Sequence, residues 1–182
     1  MSPEASSTGR ASRCRFAPET GVRGLTCINP VSARLASIEG VNAVARTGWE
    51  HFSHVADVGV RGFGPDLATA FEQVALALTA VVIDAETVRD SEAVEIECEC
   101  DDPEILLLDW LNAIIYEMAT RNMIFCRYAV RIDGSRLDGK AFGEAVDRTR
   151  HEPAVEPKGA TLTELEVIES NDGVMAQCVV DV

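Results

Sequence analysis

The residues best suited to chemistry stand near the start and at the end of one long stretch of chain. Near residue 50 the sequence reads His51-Phe52-Ser53-His54-Val55-Ala56-Asp57-Val58-Gly59-Val60. Asp57 lies between two apolar segments and beside a glycine, and a carboxylate in that context must be solvated, hydrogen-bonded or bound to a cation. His54, three residues earlier, can share the same loop. A plainer reading makes Asp57 a turn-stabilising side chain and His54 a surface imidazole. At the other end the chain closes as Val179-Val180-Asp181-Val182. Asp181 and the Val182 carboxylate repel one another unless a cation or a basic partner lies between them. Hard divalent cations, Ca²⁺ or Mg²⁺/Mn²⁺, take oxygen ligands of this kind. Asp57, Asp181 and Val182 would make such a site if the fold brings the first and last strands of the domain together.

Strands must position both clusters. Trp49 to His54 reads as a short strand, and Val58, Val60 and Phe63 alternate with Gly59, Arg61 and Gly62 in a second. Gly64-Pro65-Asp66 breaks the pattern, and Asp66 is suited to cap a helix. Leu67, Phe71, Val74, Ala75, Leu78 and Val82 then recur at three- and four-residue spacing, which predicts a helix with one broad apolar face. Ala93 to Cys100 alternates apolar residues with Glu95, Glu97 and Glu99, a strand with one wet acidic face. Asp101-Asp102-Pro103-Glu104 opens a second helix, with acids at its positive end and proline where its missing amide does no harm. Strands are expected over Met123–Ile132, Arg136–Val146, Gly159–Ile168 and Val174–Val182, with turns at Asp133-Gly134 and Asn171-Asp172-Gly173. The expected class is α+β: two helices packed on a mixed, mainly antiparallel sheet.

Charge is distributed unevenly. Residues 1–46 carry six Arg against three Glu, whereas residues 47–182 carry ten Lys/Arg against 27 Asp/Glu, a net −17. A body so acidic repels phosphate backbones, so direct nucleic-acid binding is not expected. It suits cations, or a partner whose own site is basic. Residues 1–46 lack sustained periodicity and read as a flexible leader or an over-called start, with the folded domain at 47–182. The longest apolar run, Val74 to Ile83, is ten residues and is interrupted by Thr79, against the ~20 a membrane helix needs. With no secretory signal in view, the expected location is cytoplasmic. The six cysteines form no zinc-ligand pattern and read as reduced thiols.

The stretch His54-Val55-Ala56-Asp57-Val58-Gly59 resembles the signature of the archease family, in which Thr is usual at the Val55 position. The resemblance continues through Leu67-Ala68-Thr69-Ala70-Phe71-Glu72 and Leu107-Leu108-Asp109-Trp110-Leu111-Asn112. It resumes at Gly143-Glu144, Asp147, His151 and Lys158-Gly159-Ala160-Thr161, and ends at Val180-Asp181-Val182. It spans nearly all of residues 49–182 in order. What it implies is an accessory, non-catalytic protein that promotes guanylylation and multiple turnover of the GTP-dependent tRNA-splicing RNA ligase. By the same resemblance Asp57, Asp181 and Val182 are metal-associated, Lys158 is the basic residue beside them, and His151 falls on a recurrent position. The chain departs from the family at Thr163, where a histidine is common; a hydroxyl there offers no titratable nitrogen.

Two other readings use the same residues. Asp57, Asp181, His54 and Lys158 could serve a divalent-metal-dependent hydrolase. The sequence, however, has no Gly-rich phosphate loop with Lys-Ser/Thr, no His-Glu-x-x-His and no Gly-x-Ser-x-Gly. A chaperone-like protein-binding module would instead need a sizeable exposed apolar patch.

Overall fold

The structure is a computed structural model that describes residues 13–16, 46–55 and 57–182. Nine strands and two helices follow in the order β1 (Arg13–Phe16), β2 (Gly48–Ser53), β3 (Val58–Gly64), α1 (Leu67–Val82), β4 (Glu92–Glu99), α2 (Pro103–Arg121), β5 (Met123–Asp133), β6 (Arg136–Ala145), β7 (Gly159–Ala160), β8 (Glu166–Ser170) and β9 (Gly173–Asp181) among the described residues. A single 3₁₀ turn, Ala85–Thr87, follows α1. The strands form two sheets, β1-β4-β6-β5 and β2-β3-β9-β7, with β8 also paired to β9. Every pairing is antiparallel.

Both helices start where their caps dictate. The Asp66 carboxylate accepts the Thr69 amide at 2.8 Å, and that of Asp102 accepts the Glu104 amide at 2.9 Å. Each bond satisfies an amide the first helical turn leaves unpaired, a gain of about 1 kcal/mol. At its far end α2 stops at Asn122, whose φ of 52° is left-handed, a conformation asparagine tolerates. Trp110, Leu107, Leu111 and Ile114 of α2 meet Phe71, Val74 and Leu78 of α1 and Ile96, Leu137 and Phe125 of the first sheet in one core. Each such side chain, fully covered, adds about 1.5–3 kcal/mol.

Close approach explains why the strands carry glycines. A methyl group on Gly62 would lie 2.5 Å from both the Ala70 oxygen and the Val74 nitrogen, so α1 rests on the bare backbone of β3. At Gly139 the same group would meet the Trp110 ring at 2.4 Å. Gly143 faces the register shift between Phe125 and Arg127, a bulge in β5.

Three features depart from expectation. The strand expected over Gly159–Ile168 is split into β7 and β8, because residues 161–165 turn: the Thr161 hydroxyl accepts the Thr163 amide, and Leu165 bonds back to Leu162. Within the leader, Arg13–Phe16 pairs with β4, its two arginines in register with Glu99 and Glu97. Cys126 is disulfide-bonded, whereas Cys98, Cys100 and Cys178 are free thiols, so the reading of all six as reduced does not hold. Apart from Arg46, the rest of the leader lies outside the described residues.

Candidate functional site

The pairing of β3 with β9 is what assembles the site. Val58 stands opposite Val180, so Asp57 precedes β3 at the end where Asp181 finishes β9. The register is held by a cross-strand clamp: Arg61 donates to Gln177 Oε1 at 2.7 Å and to Glu50 Oε1 at 2.8 Å, spanning β2, β3 and β9. Glu50 is held below the ordinary carboxylate range by Arg46 first, its burial opposing and Arg61 adding to the effect. β9 itself cannot drift, since Ala176, Cys178, Val179 and Val180 are wholly buried. Burial pushes the Cys178 thiol up to about 12, which leaves it a packing group rather than a nucleophile.

On the other flank of β9, Gly159 pairs with Asp181 and Ala160 with Val180. Asn112 of α2 seats β7 there: its Oδ1 accepts the Ala160 amide at 2.9 Å and its Nδ2 donates to the Ala160 oxygen at 3.3 Å. Thr161 adds its amide and hydroxyl, both 2.9 Å from the Val179 oxygen. Lys158 is thereby delivered to the end of β9. Its amide donates to the Asp181 oxygen at 2.9 Å, and its Nζ donates to the Val182 main-chain oxygen at 2.7 Å while standing 3.5 Å from Asp181 Oδ1.

His54 belongs to the β2–β3 connection. Its Nδ1 is buried without a hydrogen bond and lies 3.5 Å from Asp57 Oδ2. The structure thus gathers Asp57 with His54 and Lys158 with Asp181 and Val182, at neighbouring strand ends. His151 is placed differently: it contacts Glu144 and Asp147 beyond the end of β6. Asn112, Thr161 and Glu144 are the supporting residues that sequence reasoning did not assign. The signal for Asn112 was an amide on an otherwise apolar helix face.

The donors suit a hard cation. Two carboxylates and a main-chain oxygen are the oxygen set such ions prefer, and an ammonium already stands against the Asp181 and Val182 oxygens. Among the described residues no group of three His, Cys, Asp or Glu side chains forms a metal-ligand set, so main-chain oxygen or water would have to complete the shell. The site is open: Lys158 and Asp181 side chains are 65% and 49% exposed. Thr163 lies nearby on the chain, exposed, with its carbonyl accepting the Val179 amide at 3.1 Å.

Fold and site define a small α+β protein with an exposed acidic strand end and a lysine closing on it. The sequence profile of the archease protein family matches residues 49–182, and the chain belongs to that family. It is similar to the archease proteins of Pyrococcus abyssi (37% identity over 139 residues, 74% of this chain and 98% of that one) and Thermococcus gammatolerans (41% over 138 residues, 73% and 97%). It is also similar to the solution structure of Methanobacterium thermoautotrophicum protein 1598. That similarity has a TM-score of 0.67 and 31% identity, covering 74% of this chain and 99% of that one. Among the described residues no helix is long and apolar enough to cross a membrane.

Proposed function

We propose that this protein promotes guanylylation and multiple turnover of a GTP-dependent tRNA-splicing RNA ligase, acting on the ligase from the strand end that carries Asp57 and Asp181. The observation that carries the reading is the β3–β9 pairing, which sets the two acids at one end of adjacent strands with Lys158 against the second. A divalent cation, Ca²⁺ or Mg²⁺/Mn²⁺, would be held by Asp57, Asp181 and the Val182 oxygen, and when bound supplies positive charge to an otherwise acidic edge. Lys158 limits the local negative charge and is long enough to reach a phosphate. His54 stands beside Asp57, its Nδ1 3.5 Å from that carboxylate. The exposure of Lys158 and Asp181 favours contact with another macromolecule over a substrate enclosed in a cleft. The acidic body supports a protein partner rather than direct RNA binding. The setting that fits such a partner is the cytoplasm.

The test mixes this protein with the RNA ligase of the same cell, the ligase substoichiometric to RNA ends, and follows GTP consumption and strand joining. More than one turnover per ligase only with the protein present is the expected result. Asp57→Asn should weaken cation retention and activation while the circular dichroism melt stays unchanged. Unaltered ligase turnover with that variant would overturn the role given to Asp57.

A further inference from the structure

The chain reaches Lys158 through residues 146–157, which leave β6 after Ala145 and enter β7 at Gly159. This loop borders a cavity of about 580 Å³, lined by Val82, Ile115, Met118 and Ile124 on the core side and by His151 and Pro153 on the loop side. The gap is open to solvent and leaves the loop without apolar packing along that side, so apolar packing alone does not hold it. Particular polar contacts do. The Ala154 amide donates to the Val82 oxygen at 2.8 Å. The Val146 amide donates to the Asn122 oxygen at 2.8 Å, Arg150 reaches both Glu144 and the Thr87 oxygen, and His151, 1% exposed, stands beside them.

His151 Nδ1 accepts the Asp147 amide at 3.0 Å. A ring nitrogen that accepts an N–H carries no proton, so the proton of the neutral ring is on Nε2. That nitrogen is buried, makes no hydrogen bond, and stands 3.3 Å from Glu144 Oε1 near the end of β6. Glu144 is itself fixed, accepting the Arg89 amide at 2.7 Å and Arg150 Nη2 at 2.5 Å. Burial pushes its carboxyl up, but the Arg150 guanidinium and the Arg89 amide together outweigh this and leave it below the ordinary carboxylate range. An ionised, anchored carboxylate therefore stands 3.3 Å from a buried ring nitrogen, a charge contact rather than an aligned hydrogen bond.

We propose that His151, carrying its proton on Nε2, is a positioning residue that clasps the 146–157 loop to Glu144 and so sets Lys158 on the oxygens of Asp181 and Val182. The contact spans the two ends of the loop's first half, and the eight residues from His151 to Lys158 include Pro153 and Pro157, which stiffen the path. Losing the clasp frees the loop at one end and lets Lys158 leave its place. The consequence for a ligase rests on the activator reading above; the structural consequence does not.

Two variants separate the polar role from the volume of the ring. His151→Phe keeps a buried ring without either nitrogen, and His151→Asn keeps an acceptor near the Nδ1 position but cannot reach Glu144. Amide hydrogen exchange, read residue by residue by NMR, follows the Lys158 amide, which is bonded to Asp181, and the Cys178 amide in β9 as a reference. Exchange at Lys158 should rise on the order of tenfold in His151→Phe and less in His151→Asn, with Cys178 unchanged. Ligase activation should fall in the same order. Should His151→Phe fail to fold, His151→Asn carries the comparison. Lys158 protection equal to that of the unaltered protein, or an equal rise at Cys178, would overturn the proposal. If the unaltered protein fails to activate the ligase, the activator reading falls and the exchange data still decide the clasp.

Discussion

Lys158→Met offers the sharpest test of the acidic strand end, because it removes a charge while leaving most of the side chain's stem. Lys158 Nζ stands 3.5 Å from Asp181 Oδ1 and 2.7 Å from the Val182 oxygen, so the ammonium and the proposed cation would compete for the same oxygens. Two unit charges about 4 Å apart interact by ~1 kcal/mol in water, and a divalent ion doubles this to ~2 kcal/mol. Both side chains are about half-exposed or more, so salt and solvent reduce the net repulsion to about 1 kcal/mol. Removing it should tighten divalent-cation binding roughly fivefold. The lost surface pair costs the fold about 0–1 kcal/mol, so the variant stays folded. Isothermal titration of Ca²⁺ or Mn²⁺ into both proteins reads the effect, which should shrink at ~1 M salt, where the screening length falls to about 3 Å. Equal or weaker binding by Lys158→Met at low salt would refute the idea that lysine and ion share these oxygens.

Asn112→Ala removes both bonds that seat β7 against α2 and should lower stability by about 1–2 kcal/mol, with the Ala160 amide losing protection before the core does, as amide exchange will report. Gly139→Ala drives a methyl group into the buried Trp110 ring, 2.4 Å away, and should cost about 1–3 kcal/mol, seen as a melting temperature ~3–10 °C lower. Glu144, held below its unfolded value of 4.5, contributes stability that is fully present above that pH and is lost as pH falls through its lower folded value. Melting curves between pH 7 and 3 should therefore show a smaller acid-side loss in Glu144→Gln than in the unaltered protein.

Local signals carried much of this protein's structure. Asp66 and Asp102 announced their helices because capping needs only a carboxylate three residues or fewer from an unpaired amide. The alternation over Val94–Cys98 announced a strand because side chains on a strand change face at every residue. Asp57 and Asp181 were legible as uncomfortable acids at apolar strand ends, and the ordered resemblance pointed to the family. Their adjacency was not legible. It depends on β3 and β9 pairing across more than a hundred residues, a long-range choice made by burial of β9 and by α1 resting on Gly62. The division into two sheets and the turn that separates β7 from β8 were equally hidden, since hydrophobic periodicity does not reveal which strands become neighbours. His151 shows the limit most plainly. In the sequence it stands in a polar stretch, singled out only by the family resemblance, and only the folded chain buries it, supplies the Asp147 amide that sets its tautomer, and places its other ring nitrogen 3.3 Å from Glu144.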